Sequence, residues 1–270
     1  MKEYLIAVDL EGIGGVVGLP YETLNGSPDY EVAKENAVRE INAATSALFD
    51  NGATRVAVWD NHGGGGNLDF SKIDSRVDKI DSKKYPYRLD FAADHNFAGI
   101  IYLGYHAREG TFNGVLAHTY SSKNIQYAKV NGSPVGELEI DSYVAASHNI
   151  PPIFLASDKA CVEQFAESSP DTVFVITKEG QGRNSAILRD EEDVLREIYD
   201  GVVRAMNADI KPLSMSLPLT LEVRYTRAED SVKFYNIAKG DSGVTSSKYG
   251  DDTHTLIYEI NQINRTPMLI

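Results

Sequence analysis

The chain has 270 residues, with 39 acidic against 26 basic side chains and a net charge of −13. A balance of that sign argues against nucleic acid and anionic membrane surfaces as partners. The hydrophobic fraction of 42% is that of a soluble globular protein, the single Cys161 allows no internal disulfide, and no apolar run is long enough to span a membrane. The first residues, "MKEYLIAVDLEG", lack the apolar core of a signal peptide, so the expected location is the cytoplasm.

Residues 4–9 read as a buried strand that ends in Asp9-Leu10-Glu11-Gly12. Apolar residues at Ala33, Ala37, Ile41, Ala44 and Leu48 predict a helix over 29–50, closed by Asn51-Gly52. Strands follow at 54–60 ("TRVAVWD") and 98–106 ("AGIIYLGYH"). Asn131-Gly132 predicts a hairpin turn, and "GELEIDSYVAASHN" a helix. A strand at 151–158, a helix through "KACVEQFAES" and a strand at 171–177 complete the pattern. Short apolar strands separated by helices define an α/β fold, a mostly parallel sheet with helices on both faces. Beyond it, a helix over "DEEDVLREIYDGVVRAM", a strand at 217–226 and a strand or short helix at 254–263 suggest a smaller C-terminal α+β subdomain. The expected division is 1–189 for the α/β domain and 190–270 for the subdomain.

Sheets of this kind bind ligands at the carboxyl ends of their strands. Those ends carry Asp9 and Glu11, then Asp60 and His62 in "WDNHGGGG", then His106 in "LGYHARE". Asp9 and Glu11 are two residues apart and point to one side of an extended chain. Two carboxylates so close repel each other and resist desolvation unless a cation lies between them. Carboxylates and imidazoles converging on one sheet edge suit Zn²⁺, Mn²⁺ or Co²⁺. The expectation is therefore a metal site at the C-terminal strand edge, with Asp60 either orienting His62 or capping a turn.

The segments "VDLEGIGG", "DNHGG", "LGYHARE", "GVLAHTY" and "NGSPVGELEID" occur in the order of the signature segments of the M55 metallopeptidases, and the chain resembles that family over about residues 1–180. The resemblance implies a pair of zinc ions per chain, held by Asp9 as the bridge, Glu11, His62, His106 and Glu137, with His118 as the catalytic histidine. It implies an aminopeptidase or dipeptidase acting on short peptides with a free N-terminus, D-residues included, and a ring-shaped homo-oligomer, a decamer. Two features depart from the family pattern. Asp60-Asn61-His62 stands where D-S-H is common, and the loop "AREGTFNGVLA" between His106 and His118 is slightly long. Both bear on the substrate rather than the metal.

Other readings stand beside this one. A hydrolase of non-peptide amides would use the same metal centre. A phosphoesterase calls for more cations than Arg108 and Lys123, and a non-catalytic metal or ligand binder has no need of His118. Glu137 begins a helix, where a carboxylate is also favoured as a cap. His95 reads as surface or loop, His148 as a helix C-terminal cap, and His254 carries no motif; packing accounts for Cys161, Tyr105 and Tyr120, and a plain loop for Arg183 and Asn184.

Overall fold

The computed structural model describes residues 2–19 and 23–270. Its elements in chain order are β1 (Glu3–Val8), α1 (Asp29–Asp50), β2 (Arg55–Asp60), β3 (Asp78–Lys79), β4 (Phe97–Leu103), β5 (Ile125–Val130), β6 (Ser133–Val135), α2 (Glu137–Ser147), β7 (Pro152–Asp158), α3 (Lys159–Ser168), β8 (Val173–Gly182), β9 (Ser185–Leu188), α4 (Glu191–Ala205), β10 (Leu219–Tyr225), α5 (Ala228–Lys239), β11 (Val244–Tyr249) and β12 (Thr255–Ile260). The expected mostly parallel α/β sheet is present. It has seven strands in the order β3-β2-β1-β4-β7-β8-β9, parallel except for β9.

Both faces of this sheet are covered, which is why β1 reads as an unbroken apolar run. Alternate residues divide between two cores. Ile6, Val8, Val58 and Ile101 pack with Ala37, Ile41, Ile198 and Val202 of α1 and α4. Leu5, Ala7, Ala57 and Tyr102 pack with Leu138, Val144 and Phe165 of α2 and α3. The second core continues into Leu219, Val223 and Tyr258 of a five-stranded antiparallel sheet, ordered β11-β12-β10-β5-β6.

Around residue 190 the chain interleaves the two sheets. Helix α4 packs on α1, β7 and β8 of the large sheet. The β5–β6 hairpin, which precedes residue 190, pairs with β10 of the small one. The segment expected as strand or short helix at 254–263 is strand β12, and β9, β11 and α5 had no counterpart in the sequence pattern.

The order of the large sheet reverses direction at β1, with β2 on one side and β4 on the other. Open α/β sheets place their ligand crevice at such a switch point, outside the carboxyl ends of the strands. Two glycines allow the loops there to close on each other. A Cβ on Gly12 would lie 2.0 Å from the carbonyl oxygen of Tyr105, and one on Gly104, at φ +72°, would lie 2.2 Å from that of Asp9. Only glycine permits this approach, and it brings the β1 loop against the β4 loop.

Candidate metal centre

Strand β1 delivers Asp9 and Glu11, β2 delivers His62, and β4 delivers His106, all buried. His118 arrives on the loop after β4, and Glu137 is the first residue of α2. The Glu139 carboxylate reaches back to accept from the Gly136 N–H at 2.8 Å, which starts that helix and fixes where Glu137 projects. The structure thus brings all six expected residues to one place, including two that spacing along the chain does not connect.

The distances are short. His62 Nδ1 lies 3.1 Å from Asp9 Oδ1 and 3.2 Å from Glu11 Oε2. His106 Nε2 lies 3.6 Å from Asp9 Oδ2 and 3.3 Å from Glu137 Oε1. The His118 ring stacks on that of His106 at 4.0 Å, and its Nε2 lies 3.8 Å from Glu137 Oε1. Two overlapping groups, Asp9-Glu11-His106 and His106-His118-Glu137, each have ligand atoms within 4.8 Å of one another.

Each imidazole is held in the same way. His106 Nδ1 donates to the Ala107 carbonyl at 3.0 Å, His118 Nδ1 to the Leu116 carbonyl at 2.8 Å, and His62 Nε2 to Asn25 Oδ1 at 3.0 Å. A carbonyl acceptor fixes the proton on the nitrogen it faces, so the other nitrogen of each ring is left facing the carboxylates, where it can hold either a proton or a metal ion. Metal-ligating histidines are oriented by this kind of outer partner. His106 Nε2 is moreover buried with no hydrogen bond, a costly state for a polar atom unless an ion satisfies it.

The electrostatics agree. Burial disfavours a charged His62, but Glu11 and Asp9 outweigh it and push its pKa up to about 11. His106 is likewise pushed up to about 10 against burial, chiefly by Glu137. Burial acts to raise Glu11 and Glu137, yet the facing histidines hold both below the usual carboxylate range. The cluster gathers positive charge, from protons or from a divalent cation. The mixed oxygen and nitrogen donors fit zinc or a neighbouring transition metal.

Several neighbours gave no signal in the sequence. Arg88 donates from Nε to Asp141 Oδ1 at 2.6 Å and from Nη2 to Oδ2 at 3.0 Å, and lies 3.7 Å from Glu137 Oε2. Tyr105 and Asn61 complete this buried network, donating to Asp141 Oδ2 at 2.7 and 3.3 Å. Asp141 was within reach of sequence reasoning, since it falls four residues after Glu137 on one helix face. Lys178 is fully buried and donates to the carbonyls of Glu11 at 2.6 Å and Ile13 at 2.7 Å, pinning the β1 loop from behind.

Asp60 caps the glycine loop. It accepts from the N–H groups of Gly66, Asn67 and Leu68 at 2.8, 2.6 and 3.1 Å, and does not touch the His62 ring. Tyr120 lines the cavity above the cluster, and its N–H donates to Glu137 Oε1 at 2.7 Å. His95 stacks on Phe97, His148 ends α2 and His254 faces the Tyr225 carbonyl, all away from the cluster. Cys161 is buried in α3.

Fold and site together define an α/β protein with a buried carboxylate–imidazole cluster at the carboxyl edge of its parallel sheet. The family model described as Peptidase_M55, D-aminopeptidase, matches residues 1–257, and the chain belongs to that family. A D-aminopeptidase of Bacillus subtilis (strain 168) is 32% identical over 187 residues, and the match spans 68% of this chain and 66% of that protein's length. Among solved structures, the Zn-dependent D-aminopeptidase DppA from Bacillus subtilis, a self-compartmentalizing protease, aligns with a TM-score of 0.86 at 24% identity, covering 99% of this chain and 94% of that one.

Proposed function

We propose that this chain is a zinc-dependent aminopeptidase that releases the N-terminal residue, D-residues included, from short peptides. The observation that carries this reading is the arrangement of His62, His106 and His118, each with one nitrogen tied to a carbonyl and the other turned toward Asp9, Glu11 and Glu137. Family membership supports the activity.

Asp9, Glu11, His62, His106 and Glu137 would hold two zinc ions. Asp9 would serve both ions, since its Oδ1 faces His62 and its Oδ2 faces His106. Bound zinc supplies Lewis-acid polarisation of the scissile carbonyl and lowers the pKa of water. A carboxylate oxygen of Glu11 or Glu137 that is left off the metal would accept the free α-amine of the substrate, which would make the enzyme act at the N-terminus. His118 is the proton carrier. Its Nδ1–H is fixed on Leu116, so Nε2 takes a proton from the attacking water and returns it to the leaving amine. Arg88, held by Asp141, fixes the Glu137 carboxylate.

The Bacillus subtilis neighbour is self-compartmentalizing, and we extend to this chain the same habit of closing into a homo-oligomer, ring-shaped and decameric, that admits only short peptides. No helix among the described residues is long and apolar enough to cross a membrane, which accords with a cytoplasmic location. The division at residue 190 is, in this reading, one between subdomains that share a core.

The test is metal analysis of the purified protein, together with hydrolysis of D-alanyl-D-alanine and L-alanyl-L-alanine before and after chelation. The expected result is about two zinc ions per chain and chelator-sensitive cleavage of the D-dipeptide. A metal-free protein, or cleavage indifferent to chelation, refutes the proposal.

A further inference from the structure

The cavity above the cluster is unevenly charged. Asp9, Glu11 and Glu137 line it on the side of the cluster, and two cations reach its wall, Arg88 and Lys123. The Arg88 guanidinium is taken up by Asp141 and Glu137. Lys123 is exposed at the rim, and among the described residues its ammonium has no hydrogen bond and no ion pair. The hydroxyl of the adjacent Ser122, which also lines the cavity, is equally without a partner among the described residues.

Size and position add to charge. The cavity holds about 230 Å³, less than the roughly 300–1,000 Å³ of sites for drug-sized ligands, so its occupant is small. Ser122 and Lys123 also line an adjoining open cleft of about 710 Å³ and therefore stand at the junction of the two spaces. Glu109 and Arg183, of opposite sign, are the other charged residues lining that outer cleft. A ligand that fills the inner cavity thus meets the carboxylate–imidazole cluster at one end and, at the other, a lysine unpaired among the described residues.

We propose that Lys123, assisted by the Ser122 hydroxyl, binds the C-terminal carboxylate of the substrate, so that the site reads both ends of a dipeptide. The inference rests on the aminopeptidase reading given above. The substrate amine lies toward the carboxylates, and the substrate carboxylate lies within reach of the Lys123 ammonium. A longer peptide carries its carboxylate past the junction and forfeits the pair. A C-terminal amide has no charge to offer.

The experiment compares kcat/KM for D-alanyl-D-alanine and its C-terminal amide on the zinc-loaded enzyme, in wild type, Lys123→Gln and Lys123→Arg. Wild type prefers the free acid by about tenfold, the worth of one charge-assisted hydrogen bond. The preference collapses toward one in Lys123→Gln, mainly through KM, and persists in Lys123→Arg. Equal cleavage of acid and amide by wild type, or an unchanged preference in Lys123→Gln, overturns this inference and leaves the aminopeptidase reading standing. Cleavage of neither compound overturns both.

Discussion

Glu40 offers a sharp test of the electrostatics behind the β1 loop. It lies in α1 with its side chain buried, Oε1 accepting the Gly14 N–H at 2.7 Å and Oε2 without a partner. Burial raises its pKa from 4.5 to about 7, with the Gly14 hydrogen bond and Lys178 opposing. The folded pKa is above the unfolded one, so the folded protein binds the extra proton. The group's contribution to stability is full below pH 4.5 and is lost as pH rises through about 7. Integrated over the two pKa values, the loss is about 1 kcal/mol at pH 5 and about 3 kcal/mol at pH 8. Glu40→Gln keeps the shape and an oxygen for Gly14 but cannot ionise. Urea unfolding of wild type and variant at pH 5 and pH 8, both metal-free, isolates this one group, because other titrations cancel in the difference. The variant should gain about 2 kcal/mol on wild type between the two pH values. A stability gap that is the same at pH 5 and pH 8 would refute the reasoning.

Two further outcomes are expected. Lys178→Met removes the donor to the Glu11 and Ile13 carbonyls and the cation that opposes the burial of Asp158 and Glu40. It should cost about 3–5 kcal/mol, lowering Tm by roughly 10 °C in calorimetry, and a shift under about 2 °C would rule out the clamp. His118→Ala should retain its zinc by metal analysis and lose on the order of 10²–10⁴-fold in kcat. Loss of a zinc ion in that variant would instead place His118 among the ligands.

The sequence made some of this legible and hid the rest for physical reasons. Asp9, Glu11, His62 and His106 were readable because parallel strands buried on both faces end abruptly, and polar residues there stand out. The chain spacing of His118 and Glu137 says nothing of their proximity, which depends on where a hairpin goes. That hairpin was visible from Asn131-Gly132, but its pairing with β10, some ninety residues on, is a non-local choice. Arg88 sits in a stretch with short 3₁₀ turns and no periodicity, so only folding reveals its partnership with Asp141. Asp60 shows the reverse case, a prominent strand-end acid whose oxygens are taken up by backbone and by Asn67.

The path of the chain between His118 and Glu137 has a consequence for how such an enzyme changes over time. After His118 the chain contributes β5 and β6 to the small sheet and returns through Gly136 to α2, which packs on the large sheet. The Tyr120 N–H bonded to Glu137 Oε1 ties the outgoing loop to the start of α2 at the neck of this excursion. The metal ligands lie on the near side of the neck, whereas Ser121, Ser122 and Lys123 lie just beyond it. Residues there can be exchanged, or the loop lengthened, while the knot at the neck and the anchorage of β5 on β10 hold the ligands still. With the clustered side chains holding metal and Lys123 reading the substrate, as proposed, selectivity and metal chemistry would fall under separate mutational control.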